Sequence, residues 1–217
     1  RNRYLGVMLP YTPLHYLLMD GPFRALVMTS GNMTEEPICI DNKTAVNRLK
    51  GVADYFLTHN RDIYLRSDDS VLKVVDGISR QIRRSRGYVP MPIFLPDELK
   101  MLPPVLAVGA ELKNTICLTK KNRAFLSQHI GDMENLETFD FFSLTVSHLS
   151  RILEVEPEVV ACDLHPDYLS TRFARGQKER PVVAVQHHHA HIVSCMAEHG
   201  LRGPVIGVAM DGTGLGL

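Results

Sequence analysis

Five prolines, Pro90, Pro92, Pro96, Pro103 and Pro104, fall within YVPMPIFLPDELKMLPPV, the stretch from Tyr88 to Val105. Proline lacks a backbone N–H and fixes φ, so no continuous helix or central strand can run through such a stretch. The chain therefore has to be organised on either side of it, and 217 residues leave room for one large or two modest domains. A boundary there predicts a first segment over 1–93, a connector over 94–104 and a second segment over 105–217.

The first segment reads as mixed α and β. Ala25 to Met28, within FRALVMTSGN, predicts a strand running into a turn, and a helix follows around Lys43 to Lys50 with Asp41 as its N-cap. The second segment has a different rhythm. VLAVGAELKNTICLTKKNRAFLSQHI alternates β-rich runs with turns at Glu111 to Asn114 and Lys120 to Arg123, which predicts a three-strand meander. Thr138 to Leu153 then places Phe141, Phe142, Leu144, Leu149, Ile152 and Leu153 at helical spacing, enough to cover one face of that sheet. VVACD, VVAVQ and VIGVAMD each predict a short buried strand, separated by helical sequence. The overall expectation is an α/β fold whose second part is an RNase H-like lobe, the building block of the actin and sugar-kinase superfamily. Ligands of such sheets collect at the carboxyl ends of strands, and Asp163, His187 and Asp211 each follow an expected strand end.

Charge narrows the functional classes. The 24 basic and 24 acidic side chains cancel, so no global field draws the chain to nucleic acid or to an anionic membrane. Apolar runs stop well short of the roughly 20 residues that span a bilayer, and no secretory leader is visible, which predicts a cytoplasmic protein without a membrane partner. Cys39, Cys117, Cys162 and Cys195 are far apart and form no C-x-x-C pair, so they are expected to be buried free thiols. A start at Arg1 and an end just after a glycine-rich turn suggest a piece of a longer polypeptide.

Chemistry concentrates at VQHHHAH, which follows the expected strand Val182 to Val185 and opens a helix that Gly200 stops. His187 and His191 are four apart, so on a helix they share one face at about 5 to 6 Å between Cβ atoms and can share a metal ion. Polar residues in a solvated turn account for a lone pair of this kind as well. Asp211, in MDGTGLG, is an oxygen donor that a two-histidine site requires, although a glycine-rich hairpin explains the glycines equally. GAELKNT offers Lys113 and Thr115 in a turn, either for a polyphosphate or as a solvated tip. In the first segment, Thr29, Ser30 and Asn32 of TSGN supply short hydrogen-bonding groups suited to a nucleotide. RQIRRSRG collects Arg80, Arg83, Arg84 and Arg86, which match phosphate oxygens or form a solvated face, and Ser70 precedes an expected strand.

The order of these motifs resembles one family, HypF, the carbamoyltransferase of nickel–iron hydrogenase maturation. LGVMLPYTPLHYLL, MTSGN, DDSVLKVVDG and RRSRGYVP look like the second half of its YrdC-like domain. GAELKNTICL, LSQHIGDMENLET, ACDLHPDYLSTRFA, VQHHHAH and DGTG look like the start of its transferase domain. The resemblance implies a reaction in which carbamoyl phosphate and ATP, with Mg2+, give carbamoyl adenylate, whose carbamoyl group passes to the C-terminal cysteine of HypE. It further implies that Thr29, Ser30, Asn32 and Ser70 contact the adenylate-forming site, with Arg83 and Arg86 near phosphate. His187, His191 and Asp211 would hold a divalent ion, zinc or iron, with Lys113 and Thr115 close to the nucleotide; no catalytic residue is assigned, and this stretch alone is expected to be inactive. Two other readings stay open. One is a threonylcarbamoyladenosine tRNA-modification enzyme, which uses the same two kinds of domain but calls for a more basic surface. The other is a non-catalytic module that binds metal or nucleotide.

Overall fold

The computed structural model describes residues 3–34, 36–212 and 214–216. Two compact units emerge, Arg1–Ser30 and Gly31–Leu217. The first holds helix α1 (Pro13–Met19), opened by proline at its first turn and capped by Thr12, whose hydroxyl accepts the His15 N–H at 3.2 Å. Ala25 to Met28 does not form the expected strand. A strand exists only through its ladder, and among the described residues no strand pairs with this run, so its apolar side chains stand exposed.

The second unit begins with α2 (Asn42–Leu49), where the expected cap is realised as Asp41 Oδ1 accepting the Thr44 N–H at 2.8 Å. That bond and the Thr44 hydroxyl hold the Asp41 carboxyl below the usual carboxylate range. An antiparallel hairpin follows, β1 (Val71–Val75) and β2 (Ile78–Arg83), with Val71 opposite Arg83. The proline-rich stretch behaves as its composition dictates. It yields only β3 (Ile93–Phe94), on the outside of a sheet where missing N–H groups cost nothing, and a short 3-10 turn over Asp97–Met101.

Six strands make the main sheet, in the order β3-β6-β5-β4-β7-β8. Strands β4 (Val105–Ala107), β5 (Cys117–Lys120) and β6 (Arg123–Leu126) are the expected antiparallel meander. Strands β7 (Val159–Asp163) and β8 (Val182–Val185) then add parallel to β4 on its other side. This is the RNase H-like arrangement. Register sets the core: Leu106 lies opposite Leu118 and Val160, so one face of three neighbouring strands is continuously apolar. Helix α3 (Leu136–Leu153) covers that face with Phe141, Phe142 and Leu149, and α4 (Leu169–Gly176) adds Ala174 and Phe173. The Phe142 and Phe173 rings meet edge to face at 5.0 Å between centroids, and Phe142 is wholly buried.

Three further expectations need correction, for VVAVQ, for VIGVAMD and for the burial of the cysteines. VVAVQ does form β8, but not a buried strand: among the described residues it has one strand neighbour, helix α5 (His187–His199) has no buried residue of its own, and Val183 stays 50% exposed. VIGVAMD forms no strand; Val205 to Met210 is irregular and, apart from Ala209, exposed because nothing pairs with it among the described residues, so Asp211 does not follow a strand end. Of the cysteines, all free, only Cys162 is a buried residue and Cys195 is exposed. Burial pushes the Cys117 thiol up to about 11.

Replacing Phe142 with alanine empties the centre of this core and is expected to lower stability by about 3 to 5 kcal/mol, measured as urea unfolding followed by circular dichroism. Thiolate is the reactive form, so at pH 8 Cys117 is ionised to roughly one part in a thousand. Brief alkylation followed by mass spectrometry should therefore label Cys195 and spare Cys117.

Candidate metal centre and nucleotide turn

Because β4, β7 and β8 run parallel, their carboxyl ends share one edge of the sheet. The Gly109 turn leaves β4 there, Asp163 closes β7, and α5 starts two residues after β8. Gln186 caps α5, its side-chain oxygen accepting the His189 N–H at 2.7 Å, while its amide nitrogen donates to the Leu215 carbonyl at 3.1 Å. One residue thereby starts the helix and holds the glycine-rich stretch beside it. Gly207 seats that stretch against α5 as well: a Cβ there would stand 2.6 Å from Ile192.

Asp163, 8% exposed, sends its two oxygens in different directions. Oδ1 accepts the His165 N–H at 2.8 Å, and Oδ2 lies 2.5 Å from His187 Nδ1. On the far side of the same ring, His187 Nε2 is 2.9 Å from Asp211 Oδ2, which is 3.7 Å from His191 Nε2. The His187 and His191 rings are 4.8 Å apart, and one donor atom from each of His187, His191 and Asp211 falls within 4.8 Å of the others. With Nδ1–H donated to Asp163, Nε2 presents its lone pair towards a carboxylate oxygen. Two acceptors at that distance repel unless a cation or proton lies between them, so this donor set fits a divalent ion, with Asp163 as the outer partner that orients the imidazole. Gly214 closes the site, since a Cβ there would stand 2.5 Å from Asp211 Oδ2 and 2.6 Å from His187. Thr213 of the same turn lies outside the described residues.

Helix α4 docks on the Gly109 turn. Leu169 N–H donates to Glu111 Oε2 at 2.8 Å, and the Ser170 hydroxyl reaches the Gly109 and Ala110 carbonyls at 3.1 and 3.2 Å. Burial raises the Glu111 carboxyl pKa, against the lowering effect of the Leu169 N–H. Burial likewise raises that of the Tyr168 phenol, followed by the charges of Asp163, Glu111 and Asp211. Gly109 has φ +72° and a Cβ position 2.4 Å from the Thr115 carbonyl, so only glycine turns the chain tightly enough to present Lys113 and Thr115. Lys113 itself has φ 50°, its N–H donating to Asp132 Oδ1 at 2.6 Å.

The remaining sequence candidates divide. Ser70, Arg83 and Arg86 gather at one end of the β1–β2 hairpin: the Ser70 hydroxyl donates to the Arg86 carbonyl at 2.8 Å and accepts the Ser85 N–H at 2.9 Å. Arg86 pairs with Asp69 at 3.3 Å. Asn32 donates to the Met33 and Glu36 carbonyls at 2.9 Å, leaving its own buried carbonyl oxygen without a partner among the described residues. Thr29 and Ser30 belong to the first unit, in exposed irregular chain. The sequence reading missed the role of Asp163 and the closeness of Gly214. The position of Asp163 at a strand end was visible, but the histidine it orients depends on the β7–β8 register, which sets Asp163 opposite Val185.

Fold and site together define an RNase H-like α/β protein with a candidate metal centre at the carboxyl edge of its sheet. Residues 100–198 match the family model described as the HypF Kae1-like domain, and residues 1–85 match one described as Telomere recombination. Carbamoyltransferase HypF of Rhizobium leguminosarum bv. viciae is 49% identical over 219 residues, covering 98% of this chain and 28% of that relative. Carbamoyltransferase HypF of Synechocystis sp. is 46% identical over 217 residues, covering 100% of this chain and 28% of that relative. A crystal structure of full-length HypF in the phosphate- and nucleotide-bound form matches at 52% identity and a TM-score of 0.93, covering 98% of this chain and 33% of that one. The chain belongs to the HypF family, with a YrdC-like part ahead of the Kae1-like one. It spans 28% of the length of both curated relatives.

Asp163→Asn is expected to weaken zinc binding about 10- to 100-fold while leaving the ligands in place, and His187→Ala with His191→Ala to abolish it. Calorimetric titration of the chain with zinc reads both.

Proposed function

We propose that this chain is part of a cytoplasmic hydrogenase-maturation carbamoyltransferase, with no membrane partner. In its first step water releases phosphate from carbamoyl phosphate to leave carbamate, and a carbamate oxygen takes the adenylyl group of ATP as pyrophosphate leaves. In the second, the thiolate of the HypE C-terminal cysteine attacks the carbonyl carbon of carbamoyl adenylate and the bond to AMP breaks. The observation that carries the reading is the His187–His191–Asp211 cluster, oriented by Asp163 and lying at the same sheet edge as the Gly109 turn, in a chain of this family.

Residues of the chain take separate roles. Thr29, Ser30, Asn32 and Ser70 contact the adenylate-forming site, and Arg83 and Arg86 meet phosphate, where guanidinium geometry matches the oxygens. Lys113 and Thr115 lie near the nucleotide of the transferase lobe, with Mg2+ accompanying ATP. His187, His191 and Asp211 hold zinc or iron, which when bound supplies polarisation of a carbonyl oxygen. Asp163 holds the Nδ1 proton of His187 and so keeps Nε2 aimed at the site. Carbamoyl adenylate is a mixed anhydride that water destroys, so direct passage between the two sites has a chemical purpose.

The test uses the full-length polypeptide carrying this sequence. His187→Ala should leave formation of AMP and pyrophosphate from ATP and carbamoyl phosphate near the unsubstituted rate. Transfer to HypE should fall about 100-fold or more, since even outer-shell partners of a metal are worth 10- to 100-fold. Ser30→Ala combined with Asn32→Ala should do the reverse, suppressing adenylate formation while sparing transfer from added carbamoyl adenylate. Unchanged transfer in the histidine variant, or ATP cleavage that ignores Ser30 and Asn32, overturns the assignment.

A further inference from the structure

The segments matched by the two family models meet in a contact far apart in sequence. His129 Nδ1 lies 2.6 Å from Asp68 Oδ2, across 61 positions, with the two side chains only 17% and 23% exposed. Asp68 falls in the match over 1–85, and His129 in the match over 100–198.

Each partner continues into a turn that carries candidate nucleotide residues. On one side the Asp68 carbonyl accepts the Arg86 N–H at 3.2 Å, and the Arg86 guanidinium donates to the Ser67 carbonyl at 3.1 Å. The Ser70 hydroxyl closes the same loop by donating to the Arg86 carbonyl. On the other side, the residues just after His129 bind the Lys113 turn. Ile130 N–H donates to the Asn114 carbonyl and Asn114 N–H to the Gly131 carbonyl, both at 2.8 Å, while Lys113 N–H donates to Asp132. The Asp68–His129 pair thus joins two hydrogen-bonded turns, one holding Ser70 and Arg86, the other Lys113 and Asn114.

The surroundings leave this pair as the best-shielded polar link at the junction among the described residues. A cleft of about 220 Å³ opens at the same junction, lined by Leu65, Pro90 and Thr145 and by Ser67 and Gln128, the chain neighbours of Asp68 and His129. Arg48–Glu137 at 3.3 Å and Arg151–Tyr64 at 2.7 Å also cross between the segments. Both are exposed, so water competes with them. Leu65 packs on the core and the Arg66 guanidinium stands 5.4 Å from the Phe141 ring centroid, contacts that resist separation but tolerate sliding. A directional hydrogen bond between half-buried groups does not tolerate it.

We propose that Asp68 and His129 are positioning residues that hold the Ser70–Arg86 turn in register with the Lys113 turn, so that carbamoyl adenylate made on one side is passed to the other rather than lost to water. This rests on the functional reading above. His129 acts through Asp68 and not on the reacting atoms, so its removal uncouples the two half-reactions without stopping the first.

The experiment measures AMP formed per carbamoyl group transferred to HypE, in the full-length enzyme. His129→Ala should raise that ratio by roughly threefold to tenfold, the range over which contacts of this kind modulate coupling, with the rate of AMP formation retained. His129→Asn, which places an amide N–H where Nδ1 stands, should restore the ratio, a rescue that loss of packing would not allow. Hydrogen–deuterium exchange gives a readout independent of activity: the Arg86 amide, bonded to the Asp68 carbonyl, should exchange faster in the alanine variant and normally in the asparagine one. A ratio unchanged in His129→Ala, equal uncoupling in both variants, or unaltered exchange at Arg86 overturns the inference alone. An unsubstituted enzyme that forms no AMP from ATP and carbamoyl phosphate overturns the functional reading, and this inference with it.

Discussion

Parallel pairing of β4 with β7 and of β7 with β8 is the constraint on which the rest depends. Parallel strands send their carboxyl ends to one edge, and the chain must leave each of them through a turn or a helix start. At β4 that exit is the Gly109 turn, at β7 it is Asp163 and the approach to α4, and at β8 it is the histidine cluster. The same pairing aligns Leu106 with Val160, so the register that buries the core also sets the edge that carries the candidate site. A slip of one residue would turn Leu106 or Val160 away from α3 and carry Asp163 away from His187.

The centre built there is an alternation of acid, imidazole and acid. Asp163 supports one nitrogen of His187 and Asp211 faces the other, while His191 adds a second imidazole from one helical turn further on. Such an arrangement is electrostatically unbalanced without a positive charge in its middle. Each part is held from a different place: Asp163 from the sheet, the histidines from α5, Asp211 from the irregular chain kept close by Gln186, Gly207 and Gly214. The apolar core stops short of this region. Neither β8 nor α5 has a fully buried residue, so these elements depend on strand pairing, capping and the site's own polar contacts. A ligand that bridges His187, His191 and Asp211 would therefore contribute to local order as well as to chemistry.

Much of this was legible in the residues. The apolar spacing of Thr138 to Leu153 announced α3, the Asp41 and Gly200 signals placed the limits of α2 and α5, and the turn residues divided the meander into β4, β5 and β6. The i,i+4 spacing of His187 and His191 put them on one helical face, as found. Ala25 to Met28 and Val205 to Met210 misled because a β-rich run is a strand only where another strand offers its N–H and C=O groups. VVAVQ misled differently: its composition suits burial, but burial depends on what lies over the strand.

By itself the sequence determined α2, α3 and α5, the turns of the meander, the family and the pair of histidines, because each is encoded within a few residues or in an ordered series of motifs. The tertiary structure alone decided that Asp163 would orient His187, that Gly214 would lie against His187, and that Asp68 would meet His129 across 61 positions. Those contacts join residues with no shared period or spacing, and they exist only because the folded chain brings distant parts to the same place.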